Sequence, residues 1–123
     1  MTHETMMSFA AEWVANWNRR DVEAVLSHFA EDAEFVSPLA AKYAGQPALR
    51  GQAAIGNYWR AALGRIETLE FVLDHASWDE SLRELTVVCD TNLNGNRQRA
   101  AEIMRFRADG MQIRGEAFYG AAF

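Results

Sequence analysis

Beyond Gly64 the chain consists of four extended runs joined by very short links. The runs cover 67–77, 83–93, 97–107 and 111–123, and Ser77-Trp78-Asp79-Glu80-Ser81, Asn94-Gly95-Asn96 and Asp109-Gly110 separate them. A parallel neighbour needs a crossover of about a dozen residues or more, so links this short impose antiparallel hairpins. Asp-Gly and Asn-Gly supply the positive φ angles that tight hairpin turns require. The first half of the chain is helical in pattern. Met6, Phe9, Ala10, Trp13, Val14 and Trp17 recur at spacings of three and four, which predicts an amphipathic helix over 6–18. Asp21 reads as the N-cap of a second helix that buries Val22, Val25, Leu26 and Phe29. Residues 33–37 predict a short extended piece stopped by Pro38, and 39–51, with breakers at Gly45, Pro47 and Gly51, predict a loop. A third helix is expected over 52–63, with Ile55, Tyr58 and Trp59 inward. Three helices followed by a meander is an α+β layout, with the helices packed on one face of a curved antiparallel sheet. At 123 residues the expectation is a single domain, 1–123.

Alternation along 100–107 then exposes an anomaly. One face carries Ala100, Glu102, Met104 and Phe106, and the other carries Ala101, Ile103, Arg105 and Arg107. Glu102 is a carboxylate on an otherwise apolar face, which is costly unless it is paired, protonated or used. Desolvation there would raise its pKa and make it a candidate general acid or base near neutral pH. The competing reading is that an Arg, Tyr119 or Trp59 pairs with Glu102 and no chemistry follows.

Charge and composition exclude several classes. A net charge of −5 lacks the basic footprint of a nucleic-acid binder. No stretch approaches a membrane span, and the N-terminal residues lack the basic and apolar regions of a signal peptide. One cysteine, Cys89, rules out an intrachain disulfide and suits a reducing cytoplasm, the expected location. His3, His28 and His75 show no metal-ligand spacing, and there is no phosphate-binding glycine loop or nucleophile elbow. No metal and no cofactor are expected.

Three segments carry a family resemblance: Asp21 to Pro38 (DVEAVLSHFAEDAEFVSP), Leu49 to Arg60 (LRGQAAIGNYWR), and Glu102-Ile103-Met104-Arg105-Phe106 with its Asp-Gly turn. In order and spacing they resemble the nuclear transport factor 2-like (NTF2-like) superfamily, which includes ketosteroid isomerases and SnoaL-like polyketide cyclases. The resemblance implies a cone-shaped fold, a pocket in the cone, and frequent dimerisation. Ketosteroid isomerases place a carboxylate base just before a proline, a tyrosine on the first helix and a protonated acid on a sheet strand. Here those positions are Ser37, Trp13 and Glu102. The missing base argues against steroid isomerisation, whereas SnoaL-like cyclases resemble a scheme with one strand carboxylate, which Glu102 satisfies. The Asp-Arg-Asp arrangement of limonene-epoxide-hydrolase relatives is not assembled here.

The resulting expectation is a small cofactor-independent isomerase or cyclase acting on a small apolar, carbonyl-type molecule, with Glu102 catalytic. Trp13, Trp17, Ser37, Tyr43, Tyr58, Trp59, Val87, Cys89, Met104 and Tyr119 are the expected pocket residues. The alternative is a non-catalytic ligand-binding or dimerisation module on the same fold. Arg105, Arg107, Arg114 and Glu116 beside Ile103 and Phe118 on the outward face suggest a homodimer through the open sheet.

Overall fold

The computed structural model describes residues 1–123. Its first helix, α1 (His3–Asn18), starts three residues before the apolar periodicity does. The Thr2 hydroxyl accepts the Thr5 amide at 3.1 Å and the Thr5 hydroxyl accepts the Thr2 amide at 2.9 Å, a reciprocal cap. At its other end the Asn18 side chain donates to the Phe71 carbonyl and accepts the Phe71 amide, at 2.9 and 2.8 Å. That pair of bonds fastens α1 to the third strand. Met6, Ala10, Trp13, Val14 and Trp17 face inward.

Helix α2 (Val22–Leu26) is shorter than its apolar pattern suggests. Asp21 caps it through the Ala24 amide at 3.0 Å. The Ser27 hydroxyl then bonds back to the Ala24 carbonyl at 2.7 Å, and the chain leaves the helix. Phe29, expected on that helix, is fully buried as the first residue of strand β1 (Phe29–Val36). Pro38 is likewise not a stop. It occupies the first turn of a helix, α3 (Pro38–Ala44), whose N-cap is Ser37. Strand β2 (Ala48–Arg50) and helix α4 (Gln52–Leu63) follow, so the expected 39–51 loop is mostly regular structure.

The remaining strands are β3 (Leu69–Asp79), β4 (Glu84–Leu93), β5 (Asn96–Phe106) and β6 (Gln112–Ala122). Together the six strands form one sheet in the order β2-β1-β6-β5-β4-β3. β3 to β6 are the antiparallel meander expected from the turns, while β1 joins β6 in parallel and makes the sheet mixed. Register shifts between Leu73 and His75, and between Arg105 and Phe106, mark places where extra residues are accommodated and strands bend. The helices pack on the concave face, with α1 against β3 and α4 against β1.

The outer face is dominated by charge pairs. Arg105 bonds Glu84 at 2.7 Å, and Arg114 reaches both Glu34 at 3.1 Å and Glu116 at 2.8 Å. Arg99 joins Asp74 and Asp90 at 2.6 and 2.8 Å. These outward arginines therefore find their acids within the chain. No helix is long and apolar enough to cross a membrane.

Candidate active site

Between α1, α4 and the concave sheet lies a cavity of about 100 Å³, and 17 of its 20 lining residues are hydrophobic. Its depth can be read along β4. Cys89, Thr91 and Leu93 line it, whereas Val87 and Leu85 have no exposed surface and belong to the packed core below. Alternate residues on a strand are roughly 6.6 Å apart, so the lining along β4, from Cys89 to Leu93, runs about 13 Å. Leu63, Ile66 and Leu69 lie toward the rim with Leu93.

Glu102 stands at the floor. Its backbone pairs with Val87 on one side and Ala117 on the other, and its side chain points inward as alternation predicts. The residue is 8% exposed, and no hydrogen bond or ion pair reaches its carboxyl group. Burial without a compensating cation pushes its pKa up to about 8. The paired-carboxylate alternative is therefore not realised. Space for the carboxyl comes from Gly115: a Cβ there would lie 3.3 Å from Glu102 Oε2 and 3.1 Å from Gln112 Nε2.

Two phenols and a hydroxyl complete the polar wall. Burial pushes Tyr58 up to about 12, partly offset by the Ser37 hydroxyl and reinforced by Tyr43. Tyr119 is raised further, first by burial and then by the neighbouring Glu102, Tyr58 and Cys89. Both phenols therefore stay protonated near neutral pH, and each keeps an O–H donor available in the cavity wall. Ser37 is 2% exposed, and its oxygen accepts the Leu39 amide at 3.2 Å as the N-cap of α3. Cys89 is raised to about 11 by burial and by Glu102, so it is a thiol and not a thiolate nucleophile.

Of the expected pocket residues, Trp13, Trp17, Ser37, Tyr58, Trp59, Cys89 and Tyr119 line the cavity with Glu102. Val87 and Met104 do not; both are fully buried, Val87 directly across from Glu102 in the β4–β5 register, where the packed core covers their side chains. Tyr43 is 46% exposed and sits outside the lining, on the outer part of α3. Phe35 and Phe71 are lining residues that the sequence reading did not select. Phe35 lies near the end of β1, two residues before the extended Ser37, and Phe71 follows Leu69 on β3 at the same spacing, so alternation was the available signal. No group of three His, Cys, Asp or Glu side chains is placed to hold a metal ion.

Fold and site together define a class: a cone-shaped, NTF2-like α+β domain whose curved sheet encloses an apolar cavity around one sequestered carboxyl. A sequence model of the SnoaL-like domain matches residues 10–115, and the chain belongs to the SnoaL-like domain family. It is similar to a SnoaL-like protein of unknown function from Burkholderia thailandensis E264, at 30% identity over 98% of this chain and 99% of that one, with a TM-score of 0.86. A candidate isomerase from Bacillus subtilis shares 19% identity over 98% of this chain and 90% of its own, with a TM-score of 0.76. SalBIII, an epoxide hydrolase/cyclase-like enzyme with a role in pyran ring formation in the polyether salinomycin, shares 19% over 98% and 95%, with a TM-score of 0.73. At 19% identity these two neighbours show a common fold. No curated protein matches the chain.

Proposed function

We propose that this chain is a cofactor-independent isomerase or cyclase that moves a proton next to a carbonyl-type oxygen of a small apolar substrate, with Glu102 as the transferring group. The observation that carries this reading is an unpaired, buried glutamate on the floor of an apolar cavity. A carboxylate with a midpoint near 8 is a far stronger base than a solvated one, and its conjugate acid returns the proton within the same site. The phenols of Tyr58 and Tyr119, held neutral by burial, are the donors for charge developing on the substrate oxygen. Ser37 has no adjacent base and its oxygen already caps a helix, so it positions α3 and does not abstract a proton.

Size narrows the substrate. A cavity of about 100 Å³ is below the ~150 Å³ of an engineered site that holds benzene, so a single ring fits it better than a fused four-ring steroid. The test is deuterium incorporation from D2O next to the carbonyl of a one-ring ketone such as cyclohexanone, followed by NMR. Glu102→Gln should slow any such exchange by roughly 10²-fold or more. Full exchange activity in that variant would remove Glu102 from the mechanism.

A further inference from the structure

Nearly every basic side chain is engaged within the chain. Arg20 donates to the Leu63, Ile66 and Glu67 carbonyls, and Arg83 to the Phe106 carbonyl. Arg97 has no such partner and lies over the Phe123 ring, 4.8 Å from its centre, and Lys42 and Arg65 likewise have neither an ion pair nor a side-chain hydrogen bond. Lys42 and Arg65 lie over the same ring, each 5.1 Å from the centre of Tyr43.

That ring lies outside the cavity lining, but the residues around the three side chains belong to it. Leu39, one helical turn before Tyr43 on α3, is a lining residue, and Leu63 and Ile66 flank Arg65 on the opposite side. Tyr43 is also close enough to Tyr58, inside the cavity, to act on it electrostatically. In a chain of net charge −5, two cations without an acidic partner meet beside these lining residues. Stacking on a ring uses the face of a guanidinium and leaves its edge N–H groups free for a carboxylate.

Resting on the reading of the cavity as the substrate site, we propose that Lys42 and Arg65 form a rim subsite for the carboxylate of an amphipathic ligand whose apolar body fills the cavity. The cavity itself rejects anions, since its floor offers a carboxyl and no cation. The about 13 Å of lining along β4 sets the separation between the apolar end and the carboxylate.

The probes are 6-phenylhexanoate and its neutral counterpart 6-phenyl-1-hexanol, each titrated at pH 7 and low salt. Binding is followed by the fluorescence of Trp13, Trp17 and Trp59, which line the cavity. The acid should bind about fivefold to tenfold more tightly than the alcohol, and added salt should shrink that margin. Lys42→Gln combined with Arg65→Gln should remove the margin by weakening the acid while leaving the alcohol unchanged. Equal binding of the two probes by the unmodified protein would overturn the rim subsite and leave the cavity reading standing. Binding of neither probe would overturn both.

Discussion

Glu102 depends on its neighbours for what they lack. No cation approaches it, and Gly115 contributes no side chain beside it. Gly115→Ala would introduce a methyl group 3.3 Å from the Glu102 carboxyl oxygen and 3.1 Å from the Gln112 amide, closer than ordinary contacts. We expect this variant to fold with a loss of about 1–3 kcal/mol and to turn over more slowly because the carboxyl is displaced. Denaturant unfolding together with kcat would check it; unaltered kcat would mean that carboxyl placement is not limiting. The pH profile is a second measurement at this scale. With Glu102 as the base, the ionised fraction limits kcat/KM, so the rate should rise with pH and level off above the midpoint near 8. A profile that falls over the same range would assign Glu102 the opposite role, a general acid.

At the scale of elements, the Ser37–Pro38 junction is both a helix start and part of the cavity wall. Ser37→Asp keeps an acceptor for the Leu39 amide, since aspartate caps as well as serine, and α3 should survive. It would also place a second carboxyl in the cavity lining, and like charges oppose each other's ionisation. The Glu102 midpoint should therefore move above 8 in this variant, as read by NMR of the labelled carboxyl. An unmoved midpoint would show that the new carboxyl points away from the cavity. The same junction shows where sequence reading was limited. Long helices and the hairpin meander were legible because α1, α4 and β3 to β6 each repeat an apolar period over 10–16 residues. A proline after an extended residue signals a helix start as readily as a stop, so Ser37-Pro38 was ambiguous on local grounds. β2 has three residues and exists only because Ala48, Leu49 and Arg50 pair with β1, a partner that no local pattern announces. Glu102 was legible by alternation alone; that Val87 and Met104 are covered by the core cluster instead of facing the cavity depends on long-range packing that no local pattern announces.

For the whole molecule, Glu102 links folding to pH. Its midpoint is about 8 when folded, against 4.5 for the ordinary residue, so the folded state holds a proton that the unfolded chain releases between those values. Stability attached to this group is complete below about pH 4.5 and is lost as pH rises through 8, by up to about 5 kcal/mol. Glu102→Gln removes the titration. Its Tm should match that of the unmodified protein near pH 4.5 and exceed it at pH 9; parallel pH dependence of the two Tm values would contradict a buried, neutral Glu102. Association also belongs to this scale. The outer sheet exposes Phe118 at 44% and Val72 at 54% between its internal ion pairs. We propose a homodimer through this face, with apolar side chains forming the contact and the paired arginines framing it. Sedimentation should report a dimer at micromolar concentration, and Phe118→Asp should shift it toward monomer by burying an unpaired charge. A monomer throughout would dismiss the contact.

The place of β6 has a consequence for how the chain is made. It lies between β1 and β5, and its parallel register with β1 joins residues about eighty positions apart, such as Glu34 and Arg114. On the ribosome, β1 and β2 therefore emerge long before the strand that completes their ladder, and β1 has an unpaired edge while the meander is still being synthesised. Contacts this distant in sequence form late, because the intervening chain must be ordered first. The nascent protein thus passes through an interval in which that open edge can recruit another chain, and the interval ends only when residues 112–122 are free to insert.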